Sequence, residues 1–266
     1  MKKHTFPNPV ETLLASLLRR SILLASVAPL LSACTPSQSH HMEKDTIVNN
    51  TAKEETFQEI GFFGDVKQEQ WADFVQAVQN NIKYSRREAR NISFSLYQPE
   101  DGSLKPIWFE RFKDKAGHNY HKEQYYFKNA IRVIQRSLKG EATSITLLLV
   151  DGLPATTPKA ADHPNDARHV IVLFDVKPGK RTVFIDAMAA AAPLSRSAQG
   201  NLEFNLYAYA DDPNKFVLVE GWQTVADHNV QLQQDHIKRL NSTTKDFFVS
   251  NPMDTRWIVR DISDNT

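Results

Sequence analysis

The strongest constraint on this 266-residue chain is an internal repeat at a constant spacing of 110 positions. Asp65-Val66-Lys67 returns as Asp175-Val176-Lys177, and Asn91-Ile-Ser-Phe94-Ser-Leu96-Tyr97 returns as Asn201-Leu-Glu-Phe204-Asn-Leu206-Tyr207. The same spacing relates the pairs Glu110/Glu220, His118/His228 and Asp151/Asp261. A register kept over such a length indicates one structural unit that occurs twice in tandem.

Apolar periodicity and turn residues predict the same element order in both copies. In copy one we expect strands at 60–66, 91–112 as a hairpin, and 144–150, with helices at 69–83 and 115–138. In copy two we expect strands at 169–176, 201–209, 215–222 and 256–261, a helix from Arg181, and another at 224–243. The order β-α-β-β-α-β is that of the ferredoxin-like α+β fold. The predicted domains are therefore 56–152 and 169–264, joined by a proline-containing linker at 153–168.

The N-terminal segment carries an export signal. Basic residues (Lys2, Lys3, Arg19, Arg20) precede an apolar stretch at 21–31, which is shorter than the roughly 20 apolar residues that span a bilayer and suits a signal peptide. Leu31-Ser32-Ala33-Cys34 resembles the lipobox of bacterial lipoproteins. We therefore expect a signal peptide at 1–33, lipidation of Cys34, a polar tether at 34–55, and a protein anchored to a membrane that faces the periplasm or the cell exterior.

Two points about this segment stay open. Cys34 is compatible with an ordinary signal peptide in which the cysteine stands by chance. Arg19-Arg20 is compatible with twin-arginine export of a folded protein as well as with general secretion.

Composition excludes several classes of function. The formal net charge of +1 gives no electrostatic reason to expect a nucleic-acid partner. Because Cys34 is the only cysteine, the chain has no intrachain disulfide and no thiolate nucleophile or metal site within its domains. His118 and His121 share a helix face at i,i+3 spacing, but copy two has Gln231 at the second position, so we expect no metal site.

Copy two resembles a known family. The matching segments are Val176-Lys177-Pro178-Gly179, Ser195-Arg196, Gly200-Asn201-Leu202-x-Phe204-x-Leu206-Tyr207, Asp212-Pro213, Phe216-Val-Leu-Val-Glu220-x-Trp222 and His236-Ile237. As a set they resemble the antibiotic biosynthesis monooxygenase family, which includes quinol monooxygenases. Copy one matches more loosely, with Phe112 in place of the Trp and Tyr126 in place of His236.

The resemblance implies a fold and an activity. The two copies would pair within one chain as an intramolecular dimeric α+β barrel, a monomeric pseudo-dimer, with their sheets face to face. Each copy would hold a cavity in which a small aromatic or quinol-type substrate reacts with O2, with no flavin, haem or metal cofactor. Superfamily relatives that degrade haem use an Asn, Trp and His set, but the Trp222-to-His228 spacing is short for that arrangement.

The candidate site residues follow from the resemblance and from the repeat. In copy two we assign His228 as the base that takes a phenolic proton, Asn201 and Tyr207 as hydrogen-bonding groups, Trp222 as an aromatic wall, and Glu220 as a group that orients the histidine. Candidate substrate-binding residues are His118, Tyr97, Glu110 and Phe204.

Each of these residues also has a purely structural explanation. The two histidines can be satisfied core residues, and the glutamates can be paired in the barrel seam. The tyrosines and Trp222 can serve packing alone, and Asn91 and Asn201 can serve turns. Two hypotheses on function therefore remain: a membrane-anchored, cofactor-independent monooxygenase, or a non-catalytic lipoprotein that binds a small hydrophobic ligand.

Overall fold

The computed structural model describes residues 56–264. The predicted signal peptide, the lipidation site Cys34 and the tether up to residue 55 lie outside the described residues. Between residues 56 and 264, no helix has both the length and the apolar character that crossing a membrane requires.

Both copies have the predicted β-α-β-β-α-β order, with the second helical segment of each divided in two. Copy one consists of β1 Phe57–Phe62, α1 Trp71–Ser85, β2 Asn91–Pro99, β3 Ile107–Phe112, α2 Lys115–Glu123, α3 Tyr125–Ser137 and β4 Thr143–Leu149. Copy two consists of β5 Arg168–Asp175, α4 Arg181–Ser197, β6 Asn201–Tyr209, β7 Lys215–Trp222, α5 Val225–Gln233, α6 Asp235–Thr244 and β8 Arg256–Asp261. Short 3₁₀ turns lie at Gln68–Gln70, Pro178–Lys180 and Pro252–Thr255.

The prediction of one long helix after each hairpin was wrong. In copy one the backbone of Gln124 is extended (φ −73°, ψ 148°), and in copy two Gln234 is extended in the same way (φ −67°, ψ 143°). No proline or glycine marks either break. The break lets α3 turn and pack on α1, and α6 on α4, while α2 and α5 stay against the sheet. Tertiary packing therefore decides the break, as it commonly overrides local propensity.

The eight strands form one closed antiparallel barrel in the order β1-β3-β2-β8-β5-β7-β6-β4. The last strand of each copy pairs with the second strand of the other: Leu147 of β4 lies opposite Tyr209 of β6, and Val259 of β8 lies opposite Pro99 of β2. The predicted intramolecular barrel is confirmed. The copies are joined edge to edge at these two seams, and their inner faces enclose a common core.

Strand pairing also corrects the repeat register at its two ends. Glu59 and Val170 occupy equivalent places in β1 and β5, because each pairs with the equivalent glutamate, Glu110 or Glu220. In the last strands, Leu149 pairs with Tyr207, whereas Asp261 pairs with Tyr97. The equivalent of Asp261 is therefore Leu149 and not Asp151, which lies beyond the strand.

Side chains alternate between the two faces of each strand, and this alternation gives the protein three separate hydrophobic cores. The barrel interior holds aliphatic and aromatic residues of both copies, among them Ile60, Phe109, Ile171 and Val219. The outer sheet face of each copy packs against that copy's own helices, which gives one further core for each copy. A cavity between the outer sheet face and the helices is therefore lined by one copy alone, whereas the barrel interior is lined by both copies.

A buried ion pair links the two copies inside the barrel. The guanidinium of Arg111 in β3 binds the carboxylate of Glu203 in β6, with Nη2 3.3 Å from Oε2, and also donates to the Tyr207 hydroxyl at 3.1 Å. Asn205 donates to the same carboxylate at 2.8 Å. The repeat does not preserve the pair, because Gly221 and Ser93 stand at the equivalent positions. The interaction therefore fixes how two different copies face each other.

Removal of the charge of Arg111 should destabilise the protein strongly. Arg111→Met leaves Glu203 buried without its cation, and breaking such a pair costs about 3–5 kcal/mol of unfolding free energy. The double variant Arg111→Met/Glu203→Leu should recover most of this loss, since it buries no unpaired charge. Urea unfolding measures both. Lys128→Met, which breaks the exposed pair with Glu123, is the control, and its free energy of unfolding should stay close to that of the wild type. Equal losses in Arg111→Met and Lys128→Met would contradict the interpretation.

Candidate functional site

Copy two contains a cavity of about 460 Å³ between the outer face of its sheet and its helices. Most of its lining is apolar: Val170, Val172, Phe184, Met188, Phe204 and Leu218 are among the wall residues. Polar side chains also line the cavity, namely Glu220, His228, Gln231, Asn241, Thr244, Lys245, Asn251 and Arg256. An apolar pocket with a few convergent polar groups is the usual form of a small-molecule site.

Glu220 is a partly buried carboxylate that lines this cavity. It projects from β7 on the same face as Trp222, whose indole Nε1 donates a hydrogen bond to Oε2 at 3.2 Å. Burial raises the pKa of Glu220 to about 7, although the Trp222 hydrogen bond and the positive charge of Arg256 both act to lower it. The carboxyl group therefore changes its charge near neutral pH. The seam explanation for this residue is wrong, because the seams are formed by the strand pairs β2–β8 and β4–β6.

His228 enters the cavity from the first turn of α5. Thr224 caps this helix by accepting a hydrogen bond from the Asp227 backbone N–H, which fixes the helix start. Desolvation, with the positive charges of Arg168 and Arg256, lowers the pKa of His228 to about 4, so the ring is neutral at pH 7. Among the described residues its Nδ1 has no hydrogen-bond partner. The structure shows no hydrogen bond from Glu220 that would orient this ring within 56–264.

A second polar group lies at the helix side of the cavity and was not predicted as part of the site. Gln231 donates to the Ser195 hydroxyl at 2.7 Å, and the same hydroxyl lies 3.2 Å from Nε2 of His236. Oε1 of Gln231 is buried and has no partner in the described part of the chain. Ser195 and His236 belong to the segments that carry the family resemblance, which was the available signal. Their contact with Gln231 depends on three separate helices.

In copy one the corresponding space is filled by larger side chains. Trp108 stands where copy two has Leu218, and Phe127 stands where copy two has Ile237. Gly61, opposite Trp108 in the sheet, permits this: a Cβ at Gly61 would lie 2.4 Å from Nε1 of the indole. Copy two has Val172 opposite Leu218. Copy one therefore pairs a small residue with a large one across these strands and is filled, whereas copy two pairs two residues of medium size and has a cavity.

The remaining candidates of copy one form a separate buried cluster. Nε2 of His118 lies 3.4 Å from Oε1 of Glu110, and Nε2 of His121 lies 3.8 Å from Oε2. Burial raises the pKa of Glu110 to about 7 and lowers that of His118 to about 4. Here the polar groups of the equivalent positions contact one another rather than a cavity.

Four sequence-predicted residues, Tyr97, Tyr207, Asn201 and Trp222, do not line the cavity. Tyr97 and Tyr207 point into the barrel interior, on the sheet face opposite to Glu220, since they alternate with the outward residues of their strands. Asn201 donates to the backbone carbonyl of Glu203 at 3.1 Å. The expectation that Tyr207, Trp222 and His228 line one cavity is therefore wrong for Tyr207 and for Trp222, which is not an aromatic wall of the cavity. Trp222 contacts Glu220 through the indole hydrogen bond, and its ring centroid lies 6.2 Å from that of His228.

A comparison with the profiles of known protein families shows which family this chain is related to. The profile of the antibiotic biosynthesis monooxygenase (ABM) family matches residues 59–133 and 167–242, which together exceed half of the chain. The chain belongs to the ABM family. Both matched segments cover the glutamate, the helix of the histidine, and the strand pair that forms each sheet face. No curated protein matches the chain in sequence.

Solved structures show the same fold for the tandem arrangement. A candidate monooxygenase of Fusobacterium nucleatum subsp. nucleatum superposes with a TM-score of 0.71 at 16% identity, and covers 79% of this chain and 93% of its own. A candidate monooxygenase of Lactobacillus acidophilus gives 0.66 at 14% identity, covering 79% and 94%. An anthrone oxidase-like protein gives 0.56 at 11% identity, covering 79% and 92%. At these identities the likeness establishes the fold of this ABM protein.

Glu220→Gln should remove a pH dependence of stability from this ABM protein. The folded-state pKa of about 7 lies above the ordinary value of 4.5, so the folded chain binds more protons between these values and stability falls as the pH rises. Between pH 5 and pH 8 the wild type should lose on the order of 2–3 kcal/mol of unfolding free energy, and Glu220→Gln should not show this loss. Urea unfolding at both pH values measures it.

The matched variant for this measurement is Trp222→Phe, which places the copy-one residue at that position. Loss of the indole donor should shift the pH range in which stability falls to higher pH, because the Trp222 hydrogen bond lowers the pKa of the Glu220 carboxyl. A Glu220→Gln protein with the same pH dependence as the wild type would show that the carboxyl does not titrate in this range.

Proposed function

We propose that copy two is a monooxygenase site that oxidises a small hydroxylated aromatic compound of quinol type with O2, without a cofactor. The observation that carries the proposal is a largely apolar cavity that both Glu220 and His228 line. Family membership supports oxygenase chemistry in general, and the character of this cavity supports the substrate class.

Size and lining favour a planar aromatic ligand. A volume of about 460 Å³ lies within the range of roughly 300–1,000 Å³ that small-molecule sites occupy. Phe174, Phe184, Phe204 and Phe248 all contribute to the wall, and aromatic rings pack well against other rings. Glu220 and His228 line the same cavity as these rings, which suits a ligand with a hydroxyl group on an otherwise apolar ring.

The first chemical step is removal of the phenolic proton. Catalysis by a general base is most effective when its pKa is near the working pH, and Glu220 at about 7 meets this condition better than His228 at about 4. We therefore assign the proton to Glu220, which revises the sequence-based assignment of His228 as base. Neutral His228, with its free Nδ1, accepts or donates a hydrogen bond that holds a substrate hydroxyl.

Oxidation then follows from the properties of the anion. The electron-rich phenolate transfers an electron to O2, the two radicals combine at a ring carbon that carries hydrogen, and loss of water from the hydroperoxide leaves a carbonyl. One oxygen atom enters the product and the other leaves as water. Arg256, which lines the cavity, supplies a positive charge near the developing oxyanions. The apolar wall excludes water from the reactive intermediates.

Oxygen uptake with a panel of quinols and polyphenols tests the proposal. Glu220→Gln is expected to lower kcat/KM by about 100-fold or more, the usual contribution of a positioned base. In the wild type kcat/KM should rise with pH through about 7, as Glu220 loses its proton. His228→Gln should raise KM and lower kcat. The copy-one variant Trp108→Phe lies outside the proposed site and should leave the rate unchanged.

A double variant tests the cavity itself. Val172→Gly/Leu218→Trp rebuilds in copy two the strand pair that fills copy one, so the protein should fold but lose both ligand-induced thermal stabilisation and oxygen uptake. Uptake that survives in this filled variant would contradict the site. Ligand binding by the wild type without oxygen uptake across the panel would instead favour the non-catalytic ligand-binding lipoprotein.

We further propose that the protein is exported and anchored to a membrane through Cys34, a position outside the described residues. The lipobox-like Leu31-Ser32-Ala33-Cys34 supports this. Labelled palmitate should be incorporated into the wild type during bacterial expression and should not be incorporated into Cys34→Ser, which should move to the soluble fraction. Equal labelling of both proteins would contradict lipidation at this residue.

A further inference from the structure

In copy one, five buried polar atoms of four neighbouring side chains have no hydrogen-bond partner within residues 56–264. They are Oε1 of Glu59, Oε1 and Oε2 of Glu110, Nε2 of His118 and Nε2 of His121. The four side chains come from β1, β3 and α2, and none of them is more than 3% exposed. Buried polar groups nearly always have partners, so five unpaired atoms in one place indicate a missing ligand.

The separations between these atoms suit one ion. Nε2 of His118 is 3.4 Å from Oε1 of Glu110, and Nε2 of His121 is 3.8 Å from Oε2. Ligand atoms of Glu59, Glu110 and His118 all lie within 4.8 Å of one another. Metal–ligand bonds of about 2.0–2.2 Å place tetrahedral ligand atoms roughly 3.4 Å apart. Glu59, Glu110 and His118 are therefore close enough to share one ion, whereas His121 lies outside this group and approaches Oε2 of Glu110.

The outer contacts hold the ligands in a binding orientation. Oε1 of Glu88 lies 2.8 Å from Nδ1 of His121 and also accepts from the Tyr126 hydroxyl at 2.5 Å. With Nδ1 held by Glu88, the other nitrogen of His121, Nε2, lies 3.8 Å from Oε2 of Glu110 and can orient that carboxylate as an outer contact of a metal site. The ring of His118 stacks on Phe57 with centroids 4.0 Å apart. Both imidazoles are therefore fixed.

We propose that copy one binds a divalent first-row transition metal ion through His118, Glu110 and Glu59, with His121 as a positioning residue beside Glu110. One imidazole and two carboxylates form a neutral site with such an ion, which suits dry, aromatic surroundings. Lys122 acts electrostatically on both carboxylates and opposes the ion, whereas Glu88 favours it. The ion would be a structural component of copy one, in addition to the large side chains that fill the space of the copy-two cavity.

The repeat provides an internal comparison. Copy two keeps the glutamate and the first histidine as Glu220 and His228, but has Val170 for Glu59, Gln231 for His121 and Ala198 for Glu88. One ligand, the positioning histidine and the outer carboxylate are thus absent from copy two together. The sequence-based expectation of no metal rested on the missing second histidine of copy two, which says nothing about copy one.

Zinc binding by the full-length chain, without a polyhistidine tag, tests the proposal. Protein stripped with a chelator should retain about one Zn²⁺ per chain after gel filtration, and its Tm should rise as Zn²⁺ is added. His121→Gln and Glu59→Val introduce the residues of copy two and should each weaken binding at least tenfold. Glu220→Gln in copy two is the matched control and should bind zinc as the wild type does.

Two results would overturn the proposal. One is a wild type that binds no zinc in stoichiometric amount. The other is undiminished binding by His121→Gln and Glu59→Val, which would place the ion elsewhere, for example at His40 and His41. If these variants do not fold, zinc X-ray absorption of the wild type remains decisive. A shell of histidine nitrogen and carboxylate oxygen supports the site, and a shell of water oxygen alone contradicts it.

Discussion

Closure of the barrel is the constraint on which the other features depend. Each copy alone would leave two sheet edges with unpaired backbone N–H and C=O groups, at its last strand and at its second strand. The β4–β6 and β2–β8 seams satisfy both edges at once, so neither copy is complete without the other. Closure also gives every strand an inner and an outer face. The inner faces form one shared core, and the outer faces leave each copy its own space beneath its own helices.

Duplication within one chain lets these two spaces diverge. In a symmetric dimer a change at Trp108 would appear in both sites, whereas here Gly61 and Trp108 fill copy one while Val172 and Leu218 leave copy two open. The same divergence separates the polar groups. A glutamate and a histidine at equivalent positions face an apolar cavity in copy two, but lie among further histidine and glutamate side chains in copy one. Arg111 and Glu203 then hold the unlike copies together across the barrel.

Burial explains why these acidic and imidazole groups have unusual properties. Glu220 keeps its proton to about pH 7 because its surroundings offer one indole hydrogen bond and a distant positive charge, which do not replace water. In copy one, burial raises the pKa of Glu110 in the same way. A bound cation would compensate the negative charge of the carboxylate and so stabilise its ionised form. One structural theme, a carboxylate on the helix side of β3 or β7, therefore supports acid–base chemistry in one copy and a proposed metal site in the other.

The sequence by itself determined the duplication, the order of elements, and the hairpin Asn201–Tyr209 with Lys215–Trp222, because period-two patterns and turn residues are local signals. It also placed Glu220 and Trp222 on one strand face. Tertiary structure alone decided the breaks at Gln124 and Gln234, the shifted registers of the first and last strands, and the face on which Tyr207 lies relative to His228. These depend on which strand edges meet and on how helices pack, and such contacts join residues far apart in the chain that no local pattern specifies.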